Sequence, residues 1–480
     1  MMESVPSWLW PLLYIPMLLH LAGIAAAVHA LLTARSSQAC IAWSISLVTF
    51  PYITLPLYLV LARNKFEGYR QAFRAGRLTR HGHFADLVIK PMREYPPSVK
   101  RRPLNVFENL ARLPFTGKNC ARLLVNADEA YPAIWEMISK AEHYVLVMFF
   151  IVSDDEAGRQ LLRCLAERVQ AGVRAVFVYD EFGSWWLTRE YLEDMRAAGI
   201  EVHAFSSSNR LRNRLQINFR NHRKIVVVDG KVGFTGGLNI GDEHLHTSKK
   251  YGFWRDTCVA VQGPAVQGLQ LVFQEDYHWA SGGRMLNIPW TPQPCPDGDA
   301  AALYLSSGPA DIVEVGQLYF LEMIHAAKRR LWISSPYFVP DASVLDALKL
   351  ADMRGVEVRI LLPHHYDMWF MWLAMLSYLP ELEETTSIEV WMYPDYNHQK
   401  VVLVDDWLAA VGSSNLDNRS MRLNFEGNLV LADESFALQV QAMLEADFAR
   451  SWRLNAGYVG EQGLLVKLGA RICRLFDPIL

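Results

Sequence analysis

The chain opens with two long stretches in which charged positions vanish. Ser4 to Ala34 carries no Asp, Glu, Lys or Arg, and neither does Ser36 to Ala62; Arg35 alone separates them. Each run exceeds the ~20 residues a helix needs to cross ~30 Å of hydrocarbon. The pattern predicts a two-helix transmembrane hairpin over residues 1–62. Pro11, Pro16, Pro51 and Pro56 lie in the runs, and membrane helices tolerate proline better than soluble ones. A re-entrant or interfacial pair is the alternative, since Pro51 and Pro56 interrupt the second run. Glu3, the lack of an early Lys or Arg and the length of the first run argue against a cleaved signal peptide. His20 and His29 read as packed or interfacial side chains, not ligands.

Past Ala62 the pattern is that of an ordinary water-soluble body, and it is written twice. Trp135–Ala141 (WEMISKA) recurs as Leu321–Ala327 (LEMIHAA). Each copy precedes an apolar strand, Val145–Val152 or Leu331–Val339. A helix follows, Gly158–Ala171 or Ser343–Arg354, closed by Gly172 or Gly355 as a C′ glycine closes one. A second strand comes next, Ala175–Tyr179 or Val358–Leu362. Alternating strands and helices predict an α/β body with a mostly parallel sheet in each half. The predicted organisation is 1–62 hairpin, 63–118 basic linker or membrane-surface collar, 119–285 first half, and 286–480 second half. The division falls in the Gly- and Pro-rich stretch 282–299.

The sharpest motif closes each copy. His222-Arg-Lys224-Ile-Val-Val-Val-Asp229 leads to Gly236-Gly237 and Asn239; His398-Gln-Lys400-Val-Val-Leu-Val-Asp405 leads to Gly412-Ser413 and Asn415. Every matched pair has the same offset as His222 and His398. Positions i and i+2 of a strand share a face, so each His points with its Lys. A His and a Lys at the mouth of a buried strand are costly without a partner. Two copies about a pseudo-twofold would bring two His and two Lys together. One His would attack, the other would donate a proton, and the lysines with nearby Asn and Ser donors would hold an anion.

These strings resemble the phospholipase D superfamily, whose signature is His-x-Lys-x4-Asp, over roughly residues 120–450. The resemblance implies an α/β fold of two phospholipase D-like halves with mixed sheets about a pseudo-twofold, one site between them, and a phosphohistidine mechanism. Carried over, His222 is the nucleophile, His398 the general acid, and Lys224, Lys400, Asn239 and Asn415 the phosphate-binding groups. Asp229 and Asp405 complete the motifs; standing an odd number of positions beyond the histidines, they are expected in an architectural turn. Relatives orient each histidine with an acid from across the interface, and the candidates are Glu426 for His222 and Asp256 for His398. The alternative for both acids is a surface ion pair.

Within the superfamily the chain resembles bacterial cardiolipin synthases, in Ser335–Pro340 (SPYFVP), Ser414–Ser420 (SNLDNRS), Leu423–Glu426 (LNFE) and the Pro478–Leu480 end. That family implies phosphatidyl transfer between two phosphatidylglycerol molecules, without cofactor or metal. Tyr393–Asn397 departs from the small or apolar residues usual before the second motif, which bears on acceptor preference. A hydrolase using water, a transphosphatidylase using another head-group alcohol and a catalytically silent lipid-binding scaffold are the alternatives. Trp185, Trp186, Trp369, Phe370, Trp372 and Tyr378 fit a lipid-facing mouth; the last four fit a core helix equally. Leu464–Phe476 sets Lys467, Arg471 and Arg474 opposite Leu468, Ile472 and Leu475, for an anionic membrane or for docking on the body.

Composition narrows the remaining possibilities. Hydrophobic residues are 51% and charged residues 20%, with a net charge of −3. No basic surplus points to nucleic acid. Partners are expected to be phosphatidylglycerol, other anionic phospholipids and the membrane; oligomeric state is not readable. Arg63, Lys65, Arg70, Arg74, Arg77 and Arg80 stand against Glu67 alone just past the second run. The positive-inside rule then puts the body of a multi-pass protein on the cytoplasmic side, and the resemblance implies the bacterial inner membrane. The six cysteines form no Cys-x-x-Cys, and reduced, mostly buried thiols are expected.

Overall fold

A computed structural model describes residues 10–34, 37–61, 66, 68–69, 81–99, 104–206, 218–245 and 252–477. The basic cluster Arg63–Arg80 and the Pro478–Leu480 end lie outside the described residues. The chain forms two compact units, one of residues 1–68 with 207–219 and one of the remainder.

In the smaller unit, the first apolar run is one helix, Trp10–Thr33. Its Tyr14–Thr33 portion is long and apolar enough to cross a membrane. The second run splits into Ser37–Thr49 and Pro51–Leu61, because Pro51 has no N–H to continue the ladder. Only one uninterrupted helix among the described residues therefore meets the spanning length, not two. A Cβ on Gly23 would stand 2.3 Å from the Leu47 carbonyl oxygen, so glycine permits the close approach typical of helices packed in lipid. His29 Nδ1 lies 2.7 Å from the Tyr58 hydroxyl, and His20 Nδ1 lies 3.2 Å from that of Tyr52.

The larger unit repeats one topology. The first half contains β1 (Thr116–Val125), β2 (Tyr144–Phe149), β3 (Arg174–Asp180), β4 (Glu201–Phe205), β5 (Ile225–Val228), β6 (Val232–Gly236) and β7 (Thr257–Gln262). The second contains β8 (Ala300–Ser307), β9 (Arg330–Ser334), β10 (Glu357–Pro363), β11 (Glu389–Tyr393), β12 (Val401–Val404), β13 (Leu408–Gly412) and β14 (Asn424–Ala432). Strand order is β4-β3-β2-β5-β6-β7-β1 in one and β11-β10-β9-β12-β13-β14-β8 in the other. Antiparallel β1 and β8 join them into one sheet. Each sheet is mixed. Among these fourteen strands only β2–β4 and β9–β11 pair in parallel; the motif strands β5 and β12 are antiparallel to both neighbours. The mostly parallel sheet expected from the βαβ pattern is corrected: the pattern stops after the outer strands, and the motif strands turn straight back in the hairpins β5–β6 and β12–β13.

The repeated helices are Glu156–Gln170 and Ala342–Met353. Gly172 and Gly355 take φ of 86° and 83°. The next amides, Val173 and Val356, donate to Arg168 and Ala351, which closes both helices in the same Schellman pattern.

Two expectations are overturned. Part of the presumed surface linker is core: Val88, Met92, Leu104 and Phe107 are buried with the second half's apolar residues. Helix Leu104–Ala111 has the spacing to bury one face. The cysteines are not all free thiols either. Cys120 on β1 and Cys295 in the inter-half connection form a disulfide with Cα atoms 5.9 Å apart. The Cys295 N–H donates to the Lys118 carbonyl, fixing the connection beside β1. Cys40, Cys164, Cys258 and Cys473 are free.

Helix Leu464–Arg474 docks on Trp369–Leu376. Ala470 and Cys473 face inward, while Leu464, Leu465, Leu468, Ile472 and Leu475 are exposed. Trp185, Trp186 and Trp369 are exposed, and Tyr378 is buried.

Candidate active site

Each motif histidine is placed by a two-residue parallel pairing that crosses between the halves. Arg220–Asn221 pairs with Asn424–Phe425, and Tyr396–Asn397 pairs with Trp254–Arg255. The His222 N–H donates to the Phe425 carbonyl (2.9 Å), and the His398 N–H donates to that of Arg255 (2.8 Å). Each histidine therefore hangs beside the residue that precedes an acid of the opposite half.

Those acids meet the rings. His222 Nδ1 lies 3.0 Å from Glu426 Oε2, and His398 Nδ1 lies 2.7 Å from Asp256 Oδ2. Both acids are fully buried, so neither forms a surface ion pair. Occupying Nδ1 leaves Nε2 as the reactive nitrogen of each ring. Burial draws both histidines below the usual imidazole range, and His398 falls to about 3. Burial is the largest single influence and pushes the acids up, but the adjacent histidine, lysine and hydrogen-bond donors together outweigh it and hold them low.

The lysines turn toward the same place. Lys224 Nζ donates to the His222 carbonyl (2.7 Å) and Lys400 Nζ to that of His398 (2.5 Å). Burial lowers Lys224 to about 7 and Lys400 to about 8; Glu426 and Asp256 oppose that fall. Lys400 acts electrostatically on His222, and Lys224 on His398, so the paired motifs form one cluster. Asn239 Oδ1 accepts from the Ile151 N–H, which turns its amide nitrogen to other partners. Asn415 Oδ1 is buried without a hydrogen-bond partner.

Asp229 and Asp405 do not join the cluster. They stand five residues beyond the lysines, ~16 Å along a strand, in turns with φ of 53° and 51°. Asp229 accepts from the N–H groups of Glu142, His143 and Tyr144. Asp405 accepts from those of Lys328, Arg329 and Arg330. Although they complete the motifs, they occupy turns, as their odd spacing from the histidines predicts, and tie the strand end to the start of β2 or β9.

The two acids are held differently. Ser413 Oγ and Asn424 Nδ2 donate to Glu426. At the position matching Ser413 stands Gly237, where a Cβ would meet Asp256 Oδ1 at 2.1 Å. Asp256 takes its bonds from the Thr257 N–H and Trp254 Nε1. Phe150 lies against His222 and Trp254 against His398. Sequence reasoning missed Trp254, Phe150 and the buried ions behind the acids; the Gly237/Ser413 difference was visible in the motif but carries no meaning without the fold.

A duplicated α/β fold with two His–Lys motifs meeting at the seam defines a phospholipase D-type protein. The family described as "Cardiolipin synthase, PLD-like domain" matches residues 134–275 and 320–452. The chain is 44% identical over 472 residues to cardiolipin synthase A of Pseudomonas fluorescens, covering 97% of this chain and 98% of that one. It is 45% identical over 464 residues to cardiolipin synthase A of Pseudomonas aeruginosa, covering 95% and 94%. The crystal structure of phosphatidylserine synthase from Haemophilus influenzae shares the fold, with a TM-score of 0.58, 17% identity and coverage of 79% and 100%. The chain belongs to the cardiolipin synthase family of phosphatidyltransferases.

Proposed function

We propose that the protein joins two phosphatidylglycerol molecules into cardiolipin and glycerol. The observation that carries the chemistry is the pair of crossed His–acid contacts, His222–Glu426 and His398–Asp256. His222 donates its Nδ1 proton to Glu426 and attacks the first lipid's phosphorus through Nε2. The P–O bond to the glycerol head group breaks as the P–N bond forms. His398 gives its proton to the departing oxygen, and the phosphate's negative charge opposes the burial that otherwise keeps this ring neutral. His398 then takes the hydroxyl proton of a second phosphatidylglycerol. That oxygen attacks phosphorus, the P–N bond breaks, and both histidines return to their starting states. Lys224, Lys400, Asn239 and Asn415 hold the phosphate oxygens. Phe150 and Trp254 supply apolar walls that disfavour water as acceptor.

The test is purified full-length protein with head-group-labelled phosphatidylglycerol. Cardiolipin and glycerol in equal amounts support this reading. Phosphatidic acid as the main product points to a hydrolase, and no product points to a scaffold.

We further infer that the two apolar runs both span the membrane, with the body on the cytoplasmic side because basic residues flank the second run. The Cys120–Cys295 disulfide favours the opposite side, since such bonds persist in oxidising compartments. Labelling in intact cells with a membrane-impermeant maleimide, before and after reduction, decides between them.

A further inference from the structure

Behind each His–acid pair lies a buried ion pair that the chemistry above does not use. Arg223 Nε donates to the backbone carbonyl of Glu426 (3.0 Å). Its Nη1 donates to Asp276 Oδ1 and Oδ2 at 3.0 and 2.8 Å. Arg255 Nη1 donates to the backbone carbonyl of Asp256 (2.6 Å). Its Nε and Nη2 grip Asp447 Oδ1 and Oδ2, each at 2.8 Å. Each aspartate also takes a bond from the motif segment: Asp276 from Asn221 Nδ2 (2.9 Å), Asp447 from Gln399 Nε2 (3.0 Å). All four charged residues are buried.

The two aspartates occupy matching places, on helices Val266–Ala280 and Glu434–Arg450. The arginines do not. Arg223 lies between His222 and Lys224, where the second motif has Gln399. Arg255 precedes Asp256, where the second half has Phe425. The same contact, a guanidinium on the orienting acid's own carbonyl, is thus reached from two different sequence positions. Duplication alone would have copied one position into the other. Stability is a poor reason for it, because a buried ion pair gains little over apolar residues of the same volume. Fixed geometry is a better one, because a planar guanidinium held at both ends leaves its acceptor little freedom.

We propose that Arg223–Asp276 and Arg255–Asp447 are a matched pair of positioning clamps, one setting Glu426 against His222 and the other setting Asp256 against His398. The inference rests on the role proposed for His398 as general acid. An error of about 1 Å in such a pair is enough to cost on the order of a hundredfold in rate.

The clamps act on different steps, which makes them separable. Arg255→Lys keeps the charge but loses the fork, and should impair both proton transfers by His398; in the first turnover, before an acceptor attacks, only leaving-group protonation is involved. Phosphatidylglycerol needs that proton; a phosphatidyl p-nitrophenyl ester, whose leaving group is stable as an anion, does not. The full-length R255K, R223K and H398A proteins are assayed on both donors for release of the leaving group within a single turnover, with folded fraction measured by circular dichroism. The expected result is that R255K loses about a hundredfold on phosphatidylglycerol, the low end for a general acid, and less than about threefold on the activated ester. R223K, acting on the nucleophile, loses equally on both. Equal losses of R255K on both donors, or none on either, overturn the clamp at His398. H398A separates the two levels: if the activated ester fails to rescue it, the general-acid reading itself is wrong. If the ester rescues H398A but not R255K, the acid role stands and the clamp falls.

Discussion

His398 Nδ1 and Asp256 Oδ2 lie 2.7 Å apart although their residues belong to opposite halves of the chain. The contact exists because the His398 amide is bonded to the Arg255 carbonyl, immediately before the acid. The other contact, His222 with Glu426, is built the same way from Phe425. Neither half contains a complete His–acid pair, so catalysis requires the seam.

Replacing Glu426 by Gln keeps the side chain's size but removes the charge that fixes the His222 tautomer. Turnover should fall by roughly 10²–10⁴-fold, the range for losing an orienting carboxylate or its base. Asp256→Asn should do the same to His398. Rates of glycerol release, normalised to folded protein, check both; wild-type rates in either variant contradict the assignment.

The pH profile should fall on its alkaline side. Lys224 and Lys400 lie at about 7 and about 8 in the free enzyme, so they lose charge as pH rises through that window. Affinity for an anionic phosphate should weaken above about pH 8. Burial holds His222 below its usual range, so the nucleophile stays neutral through neutral pH and loses activity only in acid. Measuring kcat/KM from pH 5 to 10 tests this, and a profile still rising at pH 9.5 would be the wrong shape.

Gly237→Ala should damage one histidine and spare the fold's periphery. The added methyl would collide with Asp256 Oδ1 at 2.1 Å, displacing the carboxylate from His398. Activity should drop while far-UV circular dichroism stays that of the parent. Gly412→Ala would meet Asn428 and the Gly427 carbonyl instead, so it should not reproduce a His398-specific defect.

Asp229→Ala and Asp405→Ala should act on stability. Each leaves three backbone N–H groups at a strand start without their acceptor. Losing such partners costs ~1–3 kcal/mol for each group that stays buried. Lower thermal midpoints with near-normal turnover per folded molecule are expected. A lost turnover at unchanged stability would return these residues to the chemistry.

The sequence made the duplication, the motif pairs and both Schellman glycines legible, because each is local or repeats in register. The crossed partners of His222 and His398 were named through resemblance, and only the folded chain brings them to contact. Other features had no local signature. The Cys120–Cys295 bond joins residues 175 positions apart, and cysteine spacing carries no pairing information at that range. The burial of Val88, Met92, Leu104 and Phe107 depends on a surface offered by the second half. Arg223 reads as an ordinary charge within its motif, Arg255 belongs to neither motif, and their aspartates sit on helices outside the repeated strings. The split at Pro51 was visible as a proline, yet its effect on helix length needed the backbone.

The central claim is that His222 carries the phosphatidyl group between two lipids. Phosphatidylglycerol labelled at phosphorus, mixed with the full-length enzyme and quenched in denaturant within one turnover, tests it most directly. An acid-labile, alkali-stable adduct mapping to His222, which disappears as labelled cardiolipin forms, is the predicted result. Label on His398, or cardiolipin forming with no adduct on either histidine, would contradict it.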